Sequence, residues 1–327
     1  MRNLAANALS ILIVAGLVLL VAIGFAKREF SAAGPLQEEV IVVLPKGAAL
    51  KDTSRLLALH GAISNEFLFR LGARYRREDR AIRYGEYRIP AGASMEEVLA
   101  MLVRGETVEH KLTVAEGLTS YQIVEILRAS EILTGEIEEI PPEGSLAPNT
   151  YFIQRNQSRS DVVARMAEAQ AAVLAEAWEQ RAPDLPLASP EEVLILASIV
   201  EKETGVADER ARVASVYLNR LKRGMALQSD PTVVYGITGG KEPLGRGLRR
   251  SELDRATPYN TYLVAGLPPT PIAAPGRDAI MAVVNPEETD FLYFVADGTG
   301  GHVFATTLRE HNRNVATWRK IEKNLKP

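Results

Sequence analysis

Two glutamates, Glu201 and Glu203, stand two residues apart in the stretch ASIVEKETG (197–205), with Lys202 between them. They close an otherwise apolar run. A carboxyl there meets two influences that raise its pKa: apolar neighbours penalise the charge, and the C-terminal end of a helix is itself the negative pole of its dipole. A carboxyl raised in this way is suited to act as a general acid near neutral pH. The residues three, four and seven positions before Glu203 are Val200, Ile199 and Leu196, all large and apolar. The same offsets from Glu201 give Ser198, Ala197 and Leu194, a smaller and partly polar set, so helical geometry sets Glu203 against the greasier wall. The competing reading is an ordinary solvated or paired glutamate, since Lys202, Arg210 and Arg212 are all close in sequence.

The elements that must hold this pair are legible on both sides. Ser189-Pro190-Glu191-Glu192 has the form of a helix start: a capping serine, a proline in the first turn, and Glu192 placed to complete a capping box. From Val193 to Val200 nearly every residue is apolar, so the helix is expected to be buried on most sides and to stop at Gly205. A second helix is expected to end at Gly224, followed by a polar loop carrying Gln228, Asp230 and Thr232 and by a strand-like VVYG (233–236). Two further segments, 257–276 and 290–304, are dense in Tyr, Asn, Thr, Gly and Pro. Flat aromatic faces and neutral hydrogen-bonding groups of this kind suit a sugar-binding cleft, and they also occur in many irregular loops.

Upstream, residues 4–26 (LAANALSILIVAGLVLLVAIGFA) carry no charge, about the length of helix that crosses a ~30 Å hydrocarbon core. The run exceeds the ~7–15 residues usual for the apolar part of a signal peptide, which favours a retained anchor. Arg2 on one flank and Lys27 and Arg28 on the other leave orientation undecided by charge. Residues 28–37 have the character of a short linker. A unit of strand, glycine turn and amphipathic helix then recurs around Gly47, Gly92 and Gly117, with β-branched runs such as VIVVLP for the strands. The acidic, proline-bearing EIEEIPPEG (136–144) marks a break, and a long Ala- and Glu-rich helix is expected over about 161–181.

Composition narrows the chemistry. The 327 residues are 46% hydrophobic and 24% charged with a net charge of −3, and the basic residues are scattered, which argues against nucleic acid as a partner. With no cysteine, thiol catalysis and zinc–thiolate sites are excluded. Four histidines (His60, His110, His302, His311) without an HExxH pattern give no metal site, and no cofactor is expected.

In order behind a single apolar N-terminus, ASIVEKETG, NRLKRGMALQSDPTVVYG, TPYNTYLVAGLPPTPIAAPG and YFVADGTGGHVF resemble the YceG-like family of endolytic murein transglycosylases over about residue 40 to the C-terminus. One departure is Asn149, in EGSLAPNTY, where the family pattern leads one to expect aspartate. The resemblance implies an α+β architecture: an N-terminal transmembrane helix, a small LysM-like α/β module and a mixed α+β catalytic domain. The corresponding expected divisions are a cytoplasmic stub and anchor (1–28), a linker (29–38), the LysM-like module (39–110), a connecting α+β region with the long helix (111–188) and the catalytic domain (189–327). It further implies a single-pass inner-membrane protein with its catalytic domain in the periplasm, acting on peptidoglycan glycan strands beside peptidoglycan synthases. Its product would be the 1,6-anhydro-N-acetylmuramic acid end. The family's catalytic glutamate falls on Glu203, with Glu201 in support. Gln228, Asp230, Tyr235 and Asn260 are the candidates for holding sugars and the developing positive charge. A hydrolytic muramidase with Asp230 or Glu201 as second carboxylate, and a non-catalytic wall-binding scaffold, are the alternatives.

Overall fold

The computed structural model describes residues 2–325, with side chains from Leu9 to Lys323. The chain divides into two units, Met1–His110 with Phe152–Gln157, and Lys111–Tyr151 with Ser158–Pro327. The architecture is mixed α+β.

The first unit begins with one long helix, α1 (Arg2–Ser31). Its apolar side chains from Leu9 to Phe25 are exposed, and Phe30 in its last turn is the first residue of this unit's core. Then follow β1 (Val40–Leu44), α2 (Leu50–Leu59), α3 (Glu66–Tyr75), β2 (Gly85–Ile89) and α4 (Met95–Arg104). β1 and β2 pair antiparallel with Val40 opposite Ile89 and Leu44 opposite Gly85. Period-2 alternation sends Val42 and Leu44 inward and leaves Ile41 and Val43 exposed. Tyr87, Leu57, Phe69, Val98, Leu99 and Leu102 complete the core. The expected strand, glycine turn and helix recur, and Gly47 and Gly92 occupy the left-handed region (φ 81° and 69°) where the chain turns from strand toward helix. α3 lies between the first two copies and was not among the expected elements. Its start is signalled by Asn65, whose side chain accepts the Leu68 N–H. Ser94 and Glu97 form a complete capping box at α4. Residues 29–38 lie against this unit: the Phe30 ring packs on Gly72, Ser31 donates to Glu96, and Gly34 and Leu36 exchange backbone hydrogen bonds with Gly92.

β3 (Glu109–Thr113), α5 (Ser120–Ala129) and β4 (Thr150–Gln154) come next, β3 and β4 forming a two-stranded sheet. The long helix α6 spans Arg159–Glu179, close to the expected limits.

The second unit is built around α7 (Pro190–Glu203), packed by α6, α8 (Arg210–Lys222, after a 3-10 turn at Ala207–Glu209), α9 (Asp230–Thr238) and, beyond the short α10 (Arg250–Leu253), α11 (Arg277–Val284). Val193, Leu196, Ala197, Ser198, Ile199 and Val200 are all buried, as the apolar run requires. The hydroxyl of Ser198 is satisfied twice, donating to Ile195 O and accepting from Ile272 N. A hairpin of β5 (Tyr293–Ala296) and β6 (His302–Ala305) leads to the C-terminal helix α12 (Leu308–Leu325), which was not expected from the sequence.

Two local expectations are corrected. The VVYG segment is helical: Pro231 sits in the first turn of α9, and Gly239 closes it in the left-handed region. The β-branched pair Val233–Val234 suggested a strand, but start and stop signals prevail, with Thr232 and Val233 buried inside the second unit. At α7 the capping box is open: Ser189 accepts the Glu192 N–H, but the Glu192 carboxylate takes the N–H of Ala188.

Candidate active site

Glu203 is the last residue of α7, with Thr204 as C-cap. The next turns carry the chain into α8, which returns past α7 and sets Tyr217 against the carboxyl. The Tyr217 hydroxyl donates to Glu203 Oε1 at 2.7 Å. From the α8–α9 turn Ser229 Oγ donates to the same oxygen at 2.6 Å. Among the described residues Oε2 takes no hydrogen bond. Burial pushes the Glu203 carboxyl above the usual carboxylate range; the two hydroxyls only partly oppose it, Asp230 adds to it and His302 works against it. Burial and the neighbouring Glu203 also raise the Tyr217 phenol well above its ordinary value, so Tyr217 stays a donor.

The turn that delivers Ser229 is held from three directions. Gln228 has φ 53°, a left-handed conformation that a non-glycine residue adopts at a cost of about 1–2 kcal/mol. Its N–H donates to Thr261 O, the Ser229 N–H donates to Thr261 Oγ1, and Thr232 Oγ1 bonds Thr261 Oγ1 at 2.8 Å. From α8 the buried Arg220 donates to Leu227 O and Leu292 O, each at 2.7 Å. Next to Ser229, Asp230 is exposed, and its Oδ1 accepts the Tyr262 hydroxyl at 2.7 Å. His302 on β6 is oriented by Glu209 at 2.8 Å.

Glu201 faces elsewhere. Its Oε2 accepts the N–H of Gly276, the cap residue of α11, at 3.0 Å, and its Oε1 lies 4.0 Å from Arg210. Arg210 also reaches Glu116 and Asp278. Burial, more than the nearby Glu116, raises the Glu201 carboxyl, against the Gly276 N–H and Arg210.

The structure therefore groups Glu203, Asp230 and Gln228 of the sequence candidates and adds Ser229, Tyr217, Tyr262 and Arg220, none of which the sequence singled out. Tyr217 had a signal: it lies fourteen residues after Glu203 on the following helix, on its apolar side. Tyr235 and Asn260 are placed differently. The Tyr235 hydroxyl donates to Glu143 at 3.1 Å and its ring lies 4.9 Å from that of Tyr259. Asn260 is fully buried; its amide donates to Leu253 O and Arg255 O and its carbonyl accepts the Tyr262 N–H. With every polar group of its side chain spent inside the loop, Asn260 shapes the segment carrying Tyr262 rather than facing a ligand. Among the described residues no cluster of His, Asp and Glu is arranged to hold a metal ion.

Fold and site together describe an α+β protein in which one buried carboxyl, Glu203, is held through one of its oxygens. The sequence profile of the YceG-like family matches residues 42–317, and the chain belongs to that family. It is 29% identical to the endolytic murein transglycosylase of Bacillus subtilis (strain 168), over 84% of this chain and 83% of that protein. It is also 29% identical to the endolytic murein transglycosylase of Streptococcus pneumoniae serotype 2, over 85% of this chain but only 58% of the longer streptococcal protein. The crystal structure of a YceG-like protein from Listeria monocytogenes superposes with a TM-score of 0.54 at 27% identity, covering 85% of this chain and 99% of that one.

Proposed function

We propose that the chain is a peptidoglycan lytic transglycosylase: an inner-membrane lyase, anchored by α1, that cuts nascent glycan strands internally between N-acetylmuramic acid and N-acetylglucosamine. The observation that carries this reading is the Glu203 carboxyl, raised by burial and hydrogen-bonded through Oε1 alone. With two hydroxyls donating to Oε1, the proton of the neutral acid resides on Oε2, the oxygen left for substrate. Membership of a family whose Bacillus and Streptococcus members are endolytic murein transglycosylases supports the same reaction.

The chemistry needs one such group. Glu203 delivers its proton to the glycosidic oxygen as the bond to muramic acid C1 breaks. The C6 hydroxyl of the same sugar bonds to C1, and its proton passes to the Glu203 carboxylate, restoring the acid. No water is consumed. Because the nucleophile is already part of the reacting sugar, proximity replaces the second carboxylate of a glycoside hydrolase. Asp230 stands where a negative charge opposes the positive charge developing on the ring, with Gln228 and Tyr262 beside it for the sugar hydroxyls. Glu201 supports the site by fixing α11. The β1–α2–α3–β2 unit serves as a LysM-like wall-binding module, the second unit lies in the periplasm, and peptidoglycan synthases making the strands are the partners.

The test is the purified protein on uncrosslinked glycan strands, with chain ends identified by mass spectrometry. Anhydro ends are expected. Reducing ends would instead establish a hydrolytic muramidase, with Asp230 or Glu201 as the second carboxylate. Equal cleavage by native protein and Glu203→Gln would remove the glutamate from the chemistry, and no cleavage by either would leave a wall-binding scaffold.

A further inference from the structure

α3 buries Phe69 and Ala73 and leaves Phe67, Leu71 and Tyr75 exposed, at 64%, 48% and 88%. These three recur every four residues and so form one apolar stripe on the face opposite the core. Among the described residues nothing covers it.

The position of α3 is fixed by α1. Gly72, next to Leu71, has no side chain, and its Cα surface is filled by the ring of Phe30. Arg76, one residue past α3, has its guanidinium 5.6 Å from the same ring and is paired with Glu96, which also accepts from Ser31. The last turn of α1 is thus part of this unit's core, and the helix enters it without a flexible joint.

The uncharged segment of α1 ends at Ala26. Phe30 follows four residues later, about 6 Å further along the axis at the helical rise. The headgroup layer beyond a ~30 Å hydrocarbon core is itself about 5–8 Å deep on each side. A helix packed on Phe30 therefore lies in that layer. Phe and Tyr with an aliphatic neighbour are the side chains that settle there; the exposed Arg74 lies on α3 beside the stripe, and the exposed Arg77 and Arg80 follow just past the end of the helix, with Glu78 and Asp79 between them half-buried.

We infer that α3 is an interfacial helix: its Phe67–Leu71–Tyr75 face is seated in the lipid headgroup region of the bilayer that α1 spans. This rests on the reading of α1 as a membrane anchor. It makes the first unit a body held flat on the membrane surface, not a module swinging on a tether.

The chain contains no cysteine, so one introduced thiol can be labelled cleanly in the full-length protein. An environment-sensitive dye is placed at Arg74→Cys, which leaves the stripe intact, at Leu20→Cys inside α1, and at Lys51→Cys on α2. Each protein is reconstituted in phosphatidylcholine–phosphatidylglycerol vesicles with or without lipids bearing a nitroxide near the headgroup end of the acyl chain. The dye at position 74 should be quenched at least about twofold, as for a helix seated roughly 5–10 Å into the boundary, and the dye at position 51 should not. Adding Phe67→Ser, Leu71→Ser and Tyr75→Ser should reduce quenching at 74 while that at 20 persists, and unchanged quenching at 74 would show that α1 alone sets the distance and overturn the seating of the stripe. Quenching at 20 without quenching at 74 overturns the proposal and leaves the stripe to a protein partner. Absence of quenching at 20 shows that the anchor reading itself has failed, and the proposal falls with it.

Discussion

Glu201 and Glu203 stand two residues apart on α7 and have separate hydrogen-bond partners: one accepts from the backbone of Gly276, the other from the hydroxyls of Tyr217 and Ser229. Two residues along a helix are about 200° apart, so the pair reaches two different walls. One carboxylate fastens the start of α11, and the other is held by α8 and the turn before α9.

Substitutions should separate these roles. Glu203→Gln keeps the shape and can still accept from Tyr217 and Ser229, but it has no proton to give. Cleavage should fall by on the order of 10²–10⁴, the usual worth of a positioned acid, or more because the same group returns as base. Glu201→Gln should retain most of its rate and its melting temperature, since its amide oxygen can still accept the Gly276 N–H and the buried carboxyl it replaces has a raised pKa. Counting anhydro ends alongside a melting curve checks both; a dead Glu201→Gln beside an active Glu203→Gln would reverse the assignment.

The pH profile should respond in opposite directions to two neighbours. A general acid is lost as pH rises through its pKa, so the alkaline limb of kcat/KM reports Glu203. Tyr217 donates to the carboxylate and lowers that pKa, whereas Asp230 raises it. Tyr217→Phe should therefore move the alkaline limb to higher pH, with a loss of rate of about tenfold from a less well fixed carboxyl. Asp230→Asn should move it to lower pH. Shifts of the same sign in both variants would show that the limb belongs to another group.

Stability carries the same signature. The folded pKa of Glu203 lies above its unfolded value of about 4.3, so its contribution is fully present below that value and is lost as pH rises through the folded pKa. At pH 8 the native fold carries the cost of that raised pKa, which Glu203→Gln lacks. The variant should melt higher than the native protein at pH 8, by a few degrees for each ~1 kcal/mol removed, and the gap should close toward pH 4. Calorimetry across that range decides it, and a gap that widens on acidification would contradict the raised pKa.

Much of this site was legible because its signals are local. The Ser189–Pro190 start, the apolar run to Val200 and the greasier wall under Glu203 are all sequence-near, and the structure has each of them. Tyr217 and Ser229 were missed because their relation to Glu203 depends on how α8 folds back and on the left-handed turn at Gln228. Neither leaves a periodic trace. Tyr235 and Asn260 were chosen for their type alone, and type does not reveal that a hydroxyl is taken by Glu143 or that an amide is spent on Leu253 and Arg255. α3 has a pronounced helical period of its own but lies outside the repeat of strand, glycine turn and helix on either side of it.

The buried amide of Asn260 gives the last prediction. It ties Leu253 and Arg255 to Tyr262, and Tyr262 in turn donates to Asp230 beside Glu203. Asn260→Ala leaves two carbonyls and one N–H without partners in a part-buried loop, at about 1–3 kcal/mol for each group that water cannot reach. The melting temperature should fall, and kcat should fall with it because Tyr262 loses its position. Tyr262→Phe should lower kcat with little change in melting, since that ring keeps its packing. If Asn260 acts through Tyr262, the double variant should lose less kcat than the product of the two single losses, a coupling that neighbours show and independent sites do not. Strictly multiplicative losses would mean that Asn260 supports the fold alone and has no part in placing Tyr262.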